Sequence, residues 1–257
     1  MEIQKGAFLI MMKYGRILLK ISGEALGGEN QAFSQEKLDQ VANALIQLVL
    51  QNVQVAVVVG SGNIWRGKQG ISSQMDPTTA DYMGMLATVI NSLALQDTIE
   101  RAGKGMRQDG GDIQARVLTA IEMRTVAEQY TKRRAVSHLE KGHIVIFGAG
   151  TGNPFFTTDT AAALRATEIG AEVILLAKNI DGVYSADPRL EPSAIKYKSI
   201  SFEQMLAENL KVMDNTAVAH CMNYNMPLIV FGLMPASNIL AAAHGDPIGT
   251  YVGSDKF

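Results

Sequence analysis

Residues 143–170, which read HIVIFGAGTGNPFFTTDTAAALRATEIG, decide the fold. The stretch opens with a short apolar run of the kind that forms a strand covered on both faces. A glycine-rich loop follows the run, and residues 160–170 then show a helical pattern. A strand, a glycine-bearing turn and a helix in this order form the repeating unit of proteins built on a parallel sheet.

The same order recurs along the chain. Ser34 can cap one helix, in which apolar residues at spacings of three and four continue to Val49. The predicted strands cover residues 17–21, 53–59, 143–147, 172–177 and 227–231, and the other predicted helices cover residues 80–101, 160–170, 201–210 and 215–223. This alternation predicts the α/β class: a three-layer αβα sandwich with a mainly parallel central sheet.

The composition sets limits on the class of protein. With 257 residues, 47% of them hydrophobic, we predict one domain over residues 13–257 and an N-terminal tail over residues 1–12. The tail contains an apolar run that is too short to span a bilayer and lacks a signal-peptide cleavage pattern. The net charge of −2 gives no footprint for nucleic acid or an anionic membrane. The single cysteine, Cys221, is expected to be a buried thiol and favours a reducing, cytoplasmic location.

Three glycine-bearing loops follow predicted strands, where open α/β sheets bind their ligands. The loops are KISGE at residues 20–24, GSGN at residues 60–63 and GAGTGNPFFTTD at residues 148–159. Glycine lets successive N–H groups approach phosphate oxygens, and a helix that starts after the loop adds the positive end of its dipole. One such loop is weak evidence, but three in equivalent positions predict a phosphate site.

Charged residues next to these loops are candidates for phosphoryl transfer, which needs cations around the moving group. Lys20 ends an apolar strand directly before the first loop, and Arg66 follows the second loop with a guanidinium fork. Asp81 and Asp159 lie near predicted helix starts, where helix capping explains a carboxylate as well as catalysis does. Lys178 follows the fourth predicted strand and either faces a nucleotide or ends the strand in solvent.

Several other chemistries do not fit the sequence. Residues 62–69, GNIWRGKQ, match GxxxxGK, but Gln69 stands where a P-loop needs a hydroxyl group for magnesium. Trp65 stands where the Rossmann pattern GxGxxG needs glycine. The four histidines and one cysteine lack metal-ligand spacing, and no GxSxG nucleophile elbow occurs.

Together these segments resemble the bacterial UMP kinases (uridylate kinases) of the amino-acid-kinase family, over residues 16–252. The run GTGNPFFTTD at residues 150–159 is highly specific for that group. The other matching segments would by themselves indicate only the wider family. They are KISGE at 20–24, GSGN with Arg66-Gly67 at 60–67, DYMGMLAT at 81–88, DGVYSADP at 181–188 and KVMD at 211–214.

The resemblance implies transfer of a phosphoryl group from ATP to UMP, with Mg²⁺ bound mainly through phosphates. It implies catalytic roles for Lys20, Arg66 and Asp159, with Asp159 holding Lys20 or the metal-bound phosphates. The implied ATP-binding residues are Lys20, Ile21, Ser22, Gly23, Gly62, Arg66, Lys178, Asn179, Tyr184 and Asp187. The implied UMP-binding residues are Ser61, Asp81, Thr151, Gly152, Asn153, Pro154, Phe155, Phe156, Thr157 and Thr158. The acceptor would lie in the part up to about residue 170, and ATP in the part after it.

The resemblance also implies a homohexamer built from dimers and regulated by GTP and UTP. The residues that align with effector-responsive regions are Gly28, Glu29, Asn30, Gln31, Ala32, Phe33 and Arg116. Three departures stand out. Ser61 replaces a usual glycine and would need a backbone shape normally left to glycine, residues 103–111 form a longer stretch than usual, and His143 stands where some members have an arginine tied to the GTP response.

Two alternatives remain open. The first is another amino-acid-kinase member that phosphorylates a carboxylate or carbamate, such as acetylglutamate, although the TGNPFFTTD run argues against it. The second is a nucleotide-binding sensor without turnover, although Lys20, Arg66 and Asp159 are all present. A comparison of UMP with acetylglutamate as acceptor would decide the first alternative.

Overall fold

The computed structural model describes residues 12–65, 75–210 and 212–254. The strands in these ranges are β1 (Arg16–Ile21), β2 (Gln54–Val59), β3 (Ala115–Thr119), β4 (Glu128–Gln129), β5 (Ile144–Gly148), β6 (Val173–Lys178), β7 (Ser199–Ile200), β8 (Leu228–Gly232) and β9 (Thr250–Val252). They form one sheet in the order β4-β3-β5-β2-β1-β6-β8-β9-β7. Neighbouring strands are parallel, except that β8 and β9 are antiparallel.

Helices connect these strands, and a short 3₁₀ helix (Gly23–Leu26) follows β1. The α-helices are α1 (Gln35–Leu50), α2 (Pro77–Ala102), α3 (Lys132–Glu140), α4 (Thr158–Ile169), α5 (Phe202–Ala207), α6 (Asn215–Asn223) and α7 (Ser237–His244). None of the described helices combines the length and the apolar character that crossing a membrane requires.

Two separate cores lie on the two faces of the sheet, because successive strand residues point to opposite faces. In β1, Leu19 and Ile21 pack with α1, α2 and α7, whereas Leu18 packs on the other face with α3 to α6. Strands β1, β2, β5 and β6 are buried and apolar on both faces, as a sheet covered on both sides requires. The prediction of a three-layer αβα sandwich with a mainly parallel sheet is confirmed.

The individual elements mostly follow their sequence patterns. The Ser34 side chain accepts a hydrogen bond from the Lys37 N–H and caps α1, as predicted, and α6 has the predicted bounds. The Arg107 N–H donates to the Gly111 carbonyl (3.0 Å), which closes a turn within the stretch at residues 103–111. The sequence patterns did not identify β3, β4, β7, β9, α3 or α7. The predicted N-terminal tail, apart from residue 12, lies outside the described residues.

Candidate active site

The two lysines at the ends of β1 and β6 face the same side of the sheet. These strands are parallel neighbours, and Lys20 pairs with Leu176. Leu18 and Leu176 belong to the core on the α4 side, and Lys20 and Lys178 lie two residues further along their strands. Strand alternation therefore directs both ammonium groups towards the start of α4. Only 7% of the Lys20 side chain and 24% of the Lys178 side chain are exposed, so neither simply extends into solvent.

Asp159 lies between these two lysines. Its carboxylate forms an ion pair with the Lys20 ammonium, and its Oδ2 lies 3.6 Å from Lys178 Nζ. Burial acts to raise the pKa of Asp159, but the two lysines outweigh burial and hold this pKa below its usual value. Burial and the neighbouring Lys20 lower the pKa of Lys178, although Asp159 opposes them. With both lysines protonated, the three groups carry one net positive charge.

Helix capping falls to Thr157 and not to Asp159. The Thr157 Oγ1 accepts hydrogen bonds from the N–H groups of Asp159 (3.0 Å) and Thr160 (3.3 Å). The hydroxyl groups of Thr157 and Thr160 donate to Asp214, whose carboxylate also accepts from the Ala217 N–H (2.9 Å) and caps α6. The geometry therefore resolves the alternative that the sequence left open, because Asp159 contacts the lysines while another residue caps α4.

The first two glycine loops are in close contact. The Gly60 N–H donates to the Ile21 carbonyl (2.9 Å), so the loop after β2 lies against the end of β1. A Cβ atom on Gly23 would lie 2.6 Å from the Gly60 carbonyl oxygen, 2.6 Å from Gly62 N and 2.5 Å from Asn63 Oδ1. Real Cβ atoms do not approach so closely, so position 23 requires glycine for steric reasons.

The third loop, after β5, has a left-handed backbone at several positions, including Ala149 (φ 62°) and Phe155 (φ 71°). The Thr88 hydroxyl oxygen in α2 accepts a hydrogen bond from the Ala149 N–H (2.8 Å). The Asp81 Oδ2, also in α2, accepts from the Phe155 N–H (2.7 Å). Since the Asp76 side chain caps α2, Asp81 has no capping role and instead holds this loop.

Two adjoining clefts lie at this edge of the sheet and share Ser61 and Thr158. The larger cleft, of about 940 Å³, is lined by residues of the ends of β1, β2 and β6 and of residues 179–189. It contains Lys20, Ser22, Gly23, Gly62, Lys178, Asn179, Tyr184 and Asp187, all members of the predicted ATP-binding set. The smaller cleft, of about 330 Å³, contains Ser61, Asp81, Thr151, Asn153, Phe155, Phe156, Thr157 and Thr158, all members of the predicted UMP-binding set.

A few predicted site residues lie elsewhere. Arg66 is outside the described residues. Ile21 has its side chain in the core, and Gly152 and Pro154 do not line the smaller cleft. The expectation that Ser61 needs a glycine-like backbone was wrong, because Ser61 has no positive φ.

The predicted effector region has two parts, residues 28–33 and Arg116. They lie at opposite ends of the strands. Residues 28–33 precede α1 and are closed by the Gly28 N–H bond to the Gln31 carbonyl (3.0 Å), next to the glycine loops. Arg116 is near the start of β3, where its guanidinium lies 3.4 Å from Glu100 Oε1. Burial lowers the pKa of the nearby His143, and the positive charge of Arg116 acts in the same direction. The described residues therefore do not bring the predicted set into a single site.

Sequence reasoning gave no role to several polar residues that support the site. Asp214 was quoted only as part of the KVMD segment, yet it connects the starts of α4 and α6. Asn91 is fully buried in α2 and donates to the Gly60 carbonyl (2.7 Å). The signal in the sequence that could have identified Asn91 was its place as a polar residue within an apolar helical face. As for metals, the described part of the chain contains no group of three or more His, Cys, Asp and Glu side chains placed to hold an ion.

A parallel sheet with glycine loops, the buried Lys20, the partly exposed Lys178 and their shared carboxylate at its carboxyl edge defines a phosphate-handling α/β protein. The chain belongs to the amino acid kinase family, whose profile matches residues 15–232. Within solved structures it is similar to the UMP kinase from Bacillus anthracis, with 36% identity over 95% of this chain and 97% of the other, and a TM-score of 0.87. It is also similar to the UMP kinase from Ureaplasma parvum, with 36% identity over 95% of this chain and 100% of the other, and a TM-score of 0.85. The uridylate kinase from Archaeoglobus fulgidus is 29% identical over 92% of this chain and 99% of its own, with a TM-score of 0.69.

Proposed function

We propose that this protein is an ATP-dependent UMP kinase that transfers the γ-phosphoryl group of ATP directly to UMP, giving UDP. The observation that carries this proposal is the pair of adjoining clefts, which share Ser61 and Thr158. ATP would occupy the larger cleft and UMP the smaller one, so that their phosphates meet next to Lys20. The similarity to UMP kinases along nearly the whole chain supports the choice of acceptor.

The proposed chemistry depends on charge that is held in place before the substrates bind. Phosphoryl transfer gains most from positioning and from cations near the oxygens where negative charge gathers. Lys20 would contact the transferring group, and Lys178 would face the phosphates from the neighbouring strand. Asp159 holds both ammonium groups, and we assign it a positioning role. The N–H groups of Ser22, Gly23 and Gly62 would donate to the phosphate oxygens.

The smaller cleft suits a nucleoside monophosphate. Asp81 would accept from the ribose hydroxyl groups, while the exposed rings of Phe155 and Phe156 stand at the loop that would contact the base. The start of α4 directs its positive dipole end at the place where the UMP phosphate would meet ATP. The division into an acceptor part up to about residue 170 and an ATP part after it is included in this proposal.

Magnesium fits this site as an ion carried by the nucleotide phosphates. Mg²⁺ usually keeps several waters and is held by one or two carboxylates together with substrate phosphates. The described residues offer no dedicated cluster of ligands, and the buried Asp159 is engaged by two lysines. When bound, Mg²⁺ would supply further positive charge to the phosphates. The carboxylates that line the larger cleft include Glu24 and Asp187, and Asp159 lies beside Lys20.

The test is a coupled assay of ADP release with UMP, CMP, AMP and acetylglutamate as acceptors in the presence of Mg²⁺. We expect the highest kcat/KM with UMP. Preference for acetylglutamate would indicate a carboxylate kinase of the same family. Nucleotide binding without ADP release for every acceptor would indicate a sensor, and either result would overturn the proposal.

We further propose a homohexamer, regulated by GTP and UTP, in a cytoplasmic location. An apolar stripe on α2 favours self-association, because exposed apolar patches mark interaction surfaces. The stripe consists of the exposed Tyr82, Met83, Leu86 and Ile90. Light scattering after chromatography tests it: Leu86→Asp should yield smaller assemblies, and an unchanged molar mass would show that this stripe is not an interface.

A further inference from the structure

Two asparagine side chains form a reciprocal amide pair beneath the glycine loops. The Asn91 Nδ2 donates to Asn63 Oδ1 (2.7 Å), and the Asn63 Nδ2 donates to Asn91 Oδ1 (3.0 Å). Asn91 is completely buried within α2, and Asn63 ends the GSGN loop. A buried amide is stable only when its polar atoms are paired, so this arrangement constrains both side chains.

Each amide also donates its second N–H to a main-chain carbonyl of a different segment. Asn91 donates to the Gly60 carbonyl (2.7 Å), and Asn63 donates to the Ala32 carbonyl (2.7 Å). Carbonyl oxygens can only accept, so they determine which end of each amide carries nitrogen. The pair therefore joins α2, the loop after β2 and residues 28–33 in one hydrogen-bonded unit.

The same pair forms the wall against which the first glycine loop lies. Asn63 Oδ1 and the Gly60 carbonyl are the two polar atoms that a Cβ on Gly23 would meet, at 2.5 Å and 2.6 Å. Gly23 and Gly60 both line the larger cleft, whereas Asn63 and Asn91 do not. The amide pair thus lies behind the loops, where it sets their separation without reaching a ligand.

We propose that Asn63 and Asn91 are positioning residues for phosphoryl transfer, which hold the Gly23 and Gly60–Gly62 loops at the spacing that the ATP phosphates require. This inference rests on the assignment of the larger cleft to ATP. A misplacement of about 1 Å between reacting groups lowers the rate by about two orders of magnitude. Losing the pair should therefore reduce kcat more than it reduces the affinity for UMP.

Asn91→Asp provides the sharpest test, because it keeps the shape and replaces the donating nitrogen by oxygen. At high pH the new carboxylate faces the Gly60 carbonyl and Asn63 Oδ1, and turnover should fall at least tenfold. Burial raises the pKa of a carboxyl group, and the protonated form regains one donor. The ratio of variant to wild-type kcat should therefore rise as the pH falls from 9 to 6, whereas the ratio for Asn91→Ala should stay flat.

Asn63→Ala, Asn91→Ala and the double variant complete the test, with kcat, both KM values and Tm measured for each. The double variant should be no slower than the slower single variant, because residues that act as a unit are not additive. Should Asn91→Ala not fold, Asn63→Ala in the loop carries the same prediction. Thr98→Val is the matched control, because Thr98 is a buried residue of α2 whose hydroxyl group donates within its own helix, to the Ala94 carbonyl (2.9 Å).

The proposal would be overturned if the asparagine variants had a lowered Tm but wild-type kcat and KM. It would also be overturned if Thr98→Val lost as much kcat as they do. Either result would leave the pair with a structural role only. A wrong assignment of the larger cleft to ATP would give another pattern: Lys20→Met would retain full turnover while Asn91→Ala would not.

Discussion

The carboxyl ends of the strands form one edge of the sheet, the carboxyl edge, and their amino ends form the opposite one, the amino edge. Both carry similar charged side chains, but the surroundings of these side chains differ. At the carboxyl edge, Lys20 and Lys178 share Asp159, and the side chains of Lys20 and Asp159 are only 7% and 15% exposed. At the amino edge, Arg116 and His143 lie near each other, but the Arg116–Glu100 pair is 31% and 40% exposed. Exposed pairs are screened by water and contribute little, whereas buried charges keep their effect over a longer distance. Burial, and not the number of cations, distinguishes the two edges.

The backbone adds to this difference. Helices α1, α2 and α4 begin near the carboxyl edge, and the glycine loops add further N–H groups there. Helices α1, α2 and α3 end near the amino edge, where their carbonyl groups carry partial negative charge. A phosphate group is therefore favoured at the first edge by the main chain as well as by lysines. Substitutions at the two edges should consequently have very different effects on turnover.

The largest effect is expected for Asp159→Asn. The substitution keeps the size of the side chain but removes the charge that holds both lysines. Loss of one charge-assisted contact is worth about 1.5–3 kcal/mol, so kcat should fall at least tenfold while circular dichroism remains native. Turnover equal to that of the wild type would remove Asp159 from the mechanism.

The same variant should change how stability depends on pH. The pKa of Asp159 is lower in the folded protein, so its ionisation stabilises the fold above the unfolded-state pKa of about 4. This contribution disappears as the pH falls through the lower, folded-state pKa. Urea unfolding at several pH values should show that the difference between wild type and Asp159→Asn is largest above pH 4 and shrinks in acid. A difference that grows in acid would contradict the assigned direction.

A smaller effect, about tenfold on kcat, is expected for Gly23→Ala, because its Cβ would force the first two loops apart. Gly105→Ala is the matched control. Position 105 has a φ of 66° and no atom within 4 Å of a built Cβ, so alanine there strains only the backbone. We expect Gly105→Ala to lower the free energy of unfolding by about 1 kcal/mol without changing kcat. Equal kcat losses in both variants would show that steric contact at Gly23 is not the cause.

At the amino edge, Arg116→Ala should change the basal kcat by less than about twofold, as is usual for an exposed pair. Because the charge of Arg116 lowers the pKa of His143, its removal should raise that pKa, which an NMR titration of the histidine ring would measure. The proposed response to GTP is expected to weaken. A tenfold loss of basal kcat would contradict the contrast between the two edges.

The smallest effect is expected at Cys221, which lies in α6 and is buried in the core. Burial raises the pKa of this thiol to about 12. At pH 8 only about one thiol in 10⁴ is then ionised, so a disulfide reagent should not label the native protein. Full labelling in guanidinium chloride serves as the control. Rapid labelling of the native enzyme would show that the thiol is accessible.

The sequence predicted the central part of the fold better than its edges. Strands β1, β2, β5, β6 and β8 are near-continuous apolar runs, so their pattern is strong. Helix α3, with the sequence KRRAVSHLE, buries only Ala135 and Leu139, and its pattern is correspondingly weak. Strands β4 and β7 contain two residues each, and such short pairs carry almost no periodicity. Tertiary packing decides these elements.

The candidate site shows the same limit. Residue types next to glycine loops predicted Lys20 and Asp159, but the sequence could not distinguish a helix cap from a lysine partner. That distinction depends on Thr157, which takes the capping role, and on the register of β1 and β6. Asn91 was missed because its partner, the Gly60 carbonyl, is a main-chain atom 31 residues away.

The wall common to the two clefts has a consequence for ligand design. A single molecule in which adenosine and uridine are joined by a polyphosphate chain would extend past Ser61 and Thr158 and fill both compartments. Because the second nucleoside is then tethered to the first, it binds at a high effective concentration. Such a bisubstrate compound should inhibit competitively against both nucleotides, and the chain length that inhibits best would measure the distance between them.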